Sequence, residues 1–100
     1  MEEQQKELTE AKLPGNEILR NAVKISIAED RPILLDYWAA SLEKNCFIGV
    51  RENDEKLLVK NEDEYTSPIN KIYQVENEYI ITTENSLYIV SNTIASRRIA

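Results

Sequence analysis

The chain carries few side chains that could act as catalytic groups. It has no histidine and a single cysteine, Cys46, so a serine nucleophile lacks its usual base and no Cys-x-x-Cys pair exists. A glycine-rich phosphate loop and a G-x-S-x-G elbow are also absent from the sequence. Asp36 is the one carboxylate flanked by apolar residues, the setting in which a raised pKa suits acid–base chemistry. These features predict that the protein is not an enzyme and has no catalytic residue.

Two acidic clusters have the oxygen ligands that a hard cation such as Ca²⁺ or Mg²⁺ prefers. One comprises Glu52, Asp54 and Glu55, and the other is the run at residues 62–64. Neither has the alternate acidic positions, central glycine and distal glutamate of an EF-hand loop. We therefore expect solvated loop carboxylates, with no metal and no cofactor.

Aromatic and acidic side chains are better candidates for contact with a partner. The two adjacent aromatic residues at positions 37 and 38 are interpreted as core residues, with an exposed interaction face as the alternative. A second group is the acidic run, with the tyrosine that follows it. The candidate interaction residues are Tyr37, Trp38, Glu62, Asp63, Glu64 and Tyr65.

Length and charge limit the class of partner. One hundred residues suit one domain with one core, and no apolar run approaches the roughly 18 residues that span a bilayer. The net charge of -6 disfavours nucleic acid, because phosphate contacts need clustered Lys and Arg. The first fifteen residues carry acidic charge where a signal peptide would be basic, which predicts a cytoplasmic or nuclear location. We expect a protein partner or self-association, with no nucleic acid and no membrane.

The leading hypothesis is a non-catalytic protein–protein interaction or structural module. It would offer an acidic face or a strand edge, near residues 68–75 or 86–91, to a partner. The alternative is an acidic nucleic-acid mimic that inhibits a protein with a basic groove, which would need its carboxylates on one face. Charges of both signs are interleaved over residues 51–56, which favours the first hypothesis.

A helix is predicted at about residues 17–29. Asn16 is the candidate N-cap, and Pro32 lies beyond the helix end. A strand across residues 23–27 is the alternative, because apolar residues also alternate there. In the helix, apolar residues recur at three- and four-residue spacing and form a stripe expected to pack, with Trp38, on a sheet. The leading members of this stripe are Ile18, Leu19, Ala22 and Val23.

The remaining chain predicts short strands joined by turns. Residues 33–38 are interpreted as a strand, with a helix over residues 32–44 as the alternative. Alternation of polar and apolar residues is the strand signature in the last third of the chain. The further strands are predicted at residues 46–51, 55–60, 68–75, 78–83 and 86–91. Asparagine tolerates the left-handed conformation of tight turns, and the expected turn residues are Asn53, Asn77 and Asn85.

These elements predict an α+β fold. The N-terminal helix would pack on a small antiparallel β-sheet, or an SH3-like roll, of five to six strands. The expected organisation is a flexible N-terminal arm at residues 1–15, a single α+β domain at residues 16–94, and a C-terminal tail at residues 95–100.

Four short patterns carry a resemblance to a known group of proteins. They are DYW followed by Ser41-Leu42, FIGV, EYTSPI and TENSLYIVS, and they fall within residues 20–95. Together they resemble small uncharacterised proteins of AT-rich large DNA viruses. The resemblance implies a viral accessory or virion-associated protein that works by binding inside the host cell, and it supplies no catalytic residue.

Overall fold

The computed structural model describes residues 12–99, which form an α+β fold with two open, mixed sheets of four strands. The helices are α1 (Asn16–Glu29) and α2 (Trp38–Leu42), and the strands are β1 (Ile33–Leu34), β2 (Phe47–Val50), β3 (Lys56–Asn61), β4 (Glu64–Tyr65), β5 (Ile69–Val75), β6 (Glu78–Thr83), β7 (Leu87–Ser91) and β8 (Ala95–Arg98). The predicted α+β class is confirmed. Most of the predicted N-terminal arm lies outside the described residues.

Helix α1 spans nearly the predicted range, but its cap differs from the prediction. The N-cap is Gly15 in an extended conformation, and Asn16 is already helical. The Gly15 N–H donates to both carboxylate oxygens of Glu78 at 3.2 Å, so a side chain from β6 takes the place of a local cap. The helix ends at Asp30, whose left-handed φ of 54° stops further helical hydrogen bonding. No helix in the described part of the chain is long and apolar enough to cross a membrane.

The apolar stripe of α1 is narrower than predicted. Ile18 and Ala22 are fully buried, and Leu19 packs beside them. Val23 is 48% exposed, so its predicted burial was wrong. Each helical residue is rotated about 100° from the one before it, and Val23 is therefore turned away from the line through Ile18 and Ala22.

The first sheet has the strand order β1-β7-β6-β5. Strands β5, β6 and β7 pair antiparallel in sequence, which confirms the predicted meander and its turns at residues 76–77 and 84–85. Strand β1 adds in parallel to the start of β7, with Ile33 opposite Leu87. Strand β5 is an edge of this sheet, but residues 86–91 are not an open edge, because β1 and α2 cover β7.

The second sheet has the strand order β4-β3-β2-β8. The β2–β3 hairpin confirms the pairing predicted around residues 52–54. Strand β8 lies within the predicted C-terminal tail and pairs in parallel with β2. The single antiparallel sheet of five or six strands was therefore wrong. The added strands β4 and β8 are short, and β8 pairs with a strand that is distant in sequence, so local periodicity does not reveal them.

Residues 33–38 form neither the predicted strand nor the longer helix. Only Ile33 and Leu34 are extended, and a turn leads into α2 at Trp38. In a helix, Trp38 and Ser41 lie on the same side, and both side chains are buried in this structure. The burial of Trp38 thus favours a single helical turn over a continued strand.

Asparagine supports the turns differently from the prediction. The positive φ values near the hairpins belong to Asp54 (67°) and Glu76 (54°), and not to the asparagines beside them. Asn53 instead accepts a hydrogen bond from the Glu55 N–H at 3.0 Å through its side-chain oxygen. Such side-chain acceptors stabilise a turn without placing asparagine in the left-handed region.

The fold has three layers, because both faces of the first sheet are covered. One face packs on α1 and forms a helix-side core of Ile18, Ala22, Trp38, Ile80, Leu87 and Ile89. The other face packs on the second sheet and forms an inter-sheet core of Tyr37, Cys46, Ile48, Leu58, Ile81, Val90 and Ile94. Adjacent residues such as Ile80 and Ile81 contribute to opposite cores, as the period of a strand requires. The second sheet consequently has one face in the core and one face turned outward.

Candidate functional site

The outward face of the second sheet carries apolar side chains. Ile48 and Leu58 point into the inter-sheet core, so their neighbours in β2 and β3 point away from it. Phe47 lies opposite Val59, and Val59 lies opposite Tyr65 in β4, so the three side chains share this outward face. The outward face therefore carries a row of apolar side chains, of which Val59 is buried, Phe47 is half-buried and Tyr65 is exposed.

This surface contains a groove of about 440 Å³, which we call the outer groove. It is lined by Phe47, Arg51, Leu57, Val59, Asn61, Glu62, Tyr65 and Ile99. Leu57 and Val59 are almost fully buried at its base, whereas Tyr65 is 56% exposed at its side. An aromatic side chain with this much exposed surface beside buried aliphatic residues is typical of a contact surface.

Ile99 lines the outer groove and packs over Gly49. The Ile99 N–H donates to the Val50 carbonyl at 2.9 Å, which fixes the chain end beside β2. A Cβ added at Gly49 would lie 2.9 Å from the Ile99 Cδ1 and 3.1 Å from the Val59 Cγ2. Gly49 is therefore required by close packing rather than by its backbone angle, since no glycine among the described residues has a positive φ.

The rim of the outer groove carries both signs of charge. The Arg97 guanidinium lies 4.6 Å from the centre of the Phe47 ring, within the range of a cation–π interaction. Arg51 pairs with Glu55 at 2.8 Å at the end of the β2–β3 hairpin. Glu62 lies beside Tyr65 on the rim. The arrangement suits a partner with an apolar side chain and flanking polar groups.

The turn that supplies Glu62 and Tyr65 is ordered by Asn61. The Asn61 side-chain oxygen accepts hydrogen bonds from the N–H groups of Asp63 at 2.8 Å and Glu64 at 3.0 Å. The Lys60 Nζ lies 3.8 Å from the Glu64 Oε2 across the same turn. These contacts hold the β3–β4 turn in place, so the positions of Glu62 and Tyr65 are set by the turn itself.

The sequence-predicted interaction residues separate into two places. Glu62 and Tyr65 lie together at the outer groove, and Asp63 and Glu64 are exposed on the same turn but do not line it. Trp38 lies in the helix-side core and donates its indole N–H to the Lys12 carbonyl at 3.1 Å.

Tyr37 lies in the inter-sheet core rather than on an exposed face. Its ring contacts Tyr88 edge-on with centroids 5.4 Å apart, and the Lys60 ammonium lies 4.7 Å from its centre. Burial raises the pKa of Tyr37 to about 12, and the neighbouring Tyr88 and Asp36 reinforce that direction.

The candidate chemical groups do not converge on one place. Cys46 is buried, and burial raises the pKa of its thiol to about 11, which opposes reactivity at neutral pH. Asp36 is exposed and not enclosed in an apolar pocket. Within residues 12–99, no three His, Cys, Asp or Glu side chains are grouped so that they could hold a metal ion.

Sequence reasoning missed most of the outer groove. Phe47, Leu57, Val59 and Ile99 were interpreted as strand or tail residues without a role at the surface. One available signal was the run of three consecutive apolar residues at positions 57–59, because a strand with one solvated face alternates. No local signal reveals Ile99, which reaches the groove only through the pairing of β8 with β2.

Comparison of the chain with protein-family models, with curated proteins and with solved structures finds no match. The geometry of the chain itself is therefore the basis for a functional assignment.

Proposed function

We propose that the protein is a non-catalytic protein–protein interaction module that binds a partner protein through the outer groove. The observation that carries this proposal is the groove on the outward sheet face, with the buried Leu57 and Val59 at its base and the exposed Tyr65 at its side. A cavity of about 440 Å³ is large enough for one or two apolar side chains of a partner.

Exposed apolar surface supports this proposal on energetic grounds. Burial of apolar area contributes about 25 cal/mol per Å², and a central aromatic residue commonly dominates the affinity of an interface. Tyr65 has the required exposure and lies on a turn ordered by Asn61, and Leu57 and Val59 are fixed by burial at the groove base. The groove residues are therefore already positioned for contact and would lose little conformational entropy on binding.

The rival proposal, an acidic mimic of nucleic acid, has weaker support. A mimic needs unpaired carboxylates on one face, whereas several carboxylates here pair with cations. Arg51 pairs with Glu55 at 2.8 Å, Arg31 with Glu29 at 3.2 Å, and Lys60 with Glu64 at 3.8 Å. Pairs of this kind neutralise the local field that a basic groove would recognise.

The biological setting belongs to the same proposal. We infer a viral accessory or virion-associated protein in the cytoplasm or nucleus of a host cell, working without nucleic acid or membrane as a partner. An SH3-like roll, formed by the second sheet and its neighbours, stays a prediction.

A capture experiment with matched variants tests the use of the outer groove. The full chain, immobilised and incubated with lysate of its native source, is compared with Tyr65→Glu in the groove and Ile72→Glu on β5 of the other sheet. Ile72 is also exposed, so the control adds the same charge to a different surface. We expect a protein that is retained by the wild type and by Ile72→Glu and is lost with Tyr65→Glu.

Two outcomes would overturn the proposal. One is a partner that Tyr65→Glu retains as well as the wild type does, because the groove would then have no part in binding. The other is direct binding of duplex DNA with an affinity that falls steeply as salt is added, which would assign the surface to phosphate contacts.

A further inference from the structure

We propose that the open edge of β8 binds an extended, acidic segment of a partner protein by strand addition. The backbone edge of β8 is separate from the outer groove, although Arg97 also lies on the rim of that groove, and the proposal does not depend on a ligand in the groove. Strand β8 lies at the end of the second sheet and pairs only with β2 within the described chain. An unpaired strand edge supplies rows of backbone donors and acceptors for another chain.

The ladder with β2 shows which backbone groups are available. The Ile99 N–H donates to the Val50 carbonyl, so residues of the same parity in β8 point their backbone groups towards β2. The N–H and C=O groups of Ser96 and Arg98 consequently point away from the sheet. All four residues of β8 are exposed, which leaves these groups accessible to a partner strand.

The charge of this edge determines the chemistry of the partner. The whole chain carries a net charge of -6, yet β8 ends in the only adjacent pair of arginines, Arg97 and Arg98. Arg98 pairs with Asp54 at 3.6 Å and donates to the Arg51 carbonyl at 3.4 Å, and the side chains of Arg98 and Asp54 are highly exposed, so these contacts are weak and open to competition. No carboxylate of the described residues lies within ion-pair distance of Arg97.

The two arginines extend to opposite faces of the sheet because they are consecutive in a strand. Arg97 shares the outward face with Phe47, and Arg98 is on the other face. Side chains on a neighbouring strand stay on the face of the residue opposite them. A partner therefore needs two consecutive acidic residues in an extended segment, one for each arginine.

A second copy of this chain is a poorer occupant of the edge. Antiparallel pairing of β8 with itself would bring four arginine side chains together, and like charges across a strand pair are destabilising. An acidic partner removes this repulsion and adds charge-assisted contacts.

Nuclear magnetic resonance titration of the full chain tests the proposal. The probe is a capped peptide of sequence Thr-Val-Asp-Glu-Val-Thr, and the matched peptide replaces the acidic pair with Asn-Gln. We expect the acidic peptide to shift the amide resonances of Ser96 and Arg98 and to bind about fivefold or more tightly than its neutral counterpart.

Four variants distinguish the contributions of charge, strand addition and the outer groove to peptide binding. Arg97→Glu should weaken binding of the acidic peptide, whereas Arg20→Glu on α1, an equal change of charge, should not. Ser96→Pro removes an outward N–H and keeps both arginines, so it should also weaken binding while thermal melting confirms that the variant is folded. Tyr65→Glu should leave peptide binding unchanged, which keeps this result separate from the capture experiment.

Equal binding of the two peptides, or no binding of the acidic one, would overturn the proposal. Undiminished binding by Ser96→Pro would also overturn it, because attraction by charge alone would then account for the contact. A dimer of the free chain that Arg97→Glu alters in sedimentation would assign the edge to self-association instead.

Discussion

The backbone N–H of Ser91 donates a hydrogen bond to the side-chain oxygen of Ser41 at 2.9 Å and joins the edge of β7 to the short helix α2. The Ser41 hydroxyl in turn donates to the Trp38 carbonyl at 2.6 Å. Strand β1 pairs only with the first two residues of β7, so α2 satisfies the edge where β1 has ended. One hydroxyl thus allows a five-residue helix to cover a sheet edge.

Removal of the Ser41 hydroxyl should destabilise the fold strongly for so small a group. Ser41→Ala leaves the buried Ser91 N–H without its acceptor, and we expect a loss of about 1–3 kcal/mol in the free energy of unfolding. Urea denaturation measures the change, with Ser96→Ala on the exposed strand β8 as the control. A loss no larger than that of the control would mean that water replaces the Ser41 hydroxyl.

Trp38 is expected to be the largest single contributor to the helix-side core. It is 6% exposed and packs in the cluster that contains Ile18, Ile80 and Leu87. Trp38→Ala should cost about 3–5 kcal/mol in the free energy of unfolding, by comparison with other buried aromatic residues. Denaturant melts test this against Leu35→Ala, since Leu35 is half exposed. An unchanged midpoint for Trp38→Ala would contradict its position in the core.

The elements predicted best were those with strong local patterns. The helix at α1 and the meander of β5, β6 and β7 follow from periodicities of 3.6 and 2 residues, and short turns fix the pairing of neighbouring strands. The same pattern predicted Ile18 and Ala22 as core residues. These features depend on contacts within a few residues along the chain.

The missed features depend on distant partners. Strand β1 forms by pairing with β7, and β8 forms by pairing with β2. More than forty residues separate the two strands of each pair. The candidate site was predicted only in part, through Glu62 and Tyr65. Ile99 completes the outer groove through the β2–β8 pairing, which no local rule reveals.

Strain in the β5–β6 turn offers a stabilising substitution. Glu76 has a φ of 54° at the first position of a two-residue turn, where a side chain is disfavoured and glycine is preferred. We expect Glu76→Gly to raise the free energy of unfolding by about 0.5–1 kcal/mol, after allowance for the greater freedom of glycine in the unfolded chain. Asn77→Gly is the control and should not stabilise. Thermal melting of both variants provides the comparison.

Alkaline pH should destabilise the protein through Cys46. Burial raises the pKa of the thiol from its ordinary value of 9.0 to about 11, so the folded state keeps a proton that the unfolded state releases. This stabilising contribution is fully present below pH 9.0 and is lost as the pH rises through about 11. The expected loss is on the order of 2 kcal/mol.

The measurement is urea denaturation between neutral and alkaline pH for the wild type and for Cys46→Ala. The variant should lose less stability over this range, although Tyr37 and Tyr88, whose pKa values are also raised by burial, continue to contribute. Parallel stability curves for the two proteins would show that the thiol titrates normally in the folded state.

Close packing between Gly49 and Ile99 gives a test of the outer groove itself. A valine at position 49 would place its Cβ 2.9 Å from the Ile99 Cδ1, so one side chain has to move. We expect Gly49→Val to cost about 1–3 kcal/mol in the free energy of unfolding, as overpacking does elsewhere. Ile99→Ala should relieve part of that cost, because it removes the closest contact, at 2.9 Å, while the contact with the Val59 Cγ2 at 3.1 Å stays. A double-mutant cycle of the two changes, measured by urea denaturation, should therefore give a favourable coupling energy of about 0.5 kcal/mol or more. Strictly additive losses would mean that Ile99 does not pack over Gly49 and that the groove lacks this side.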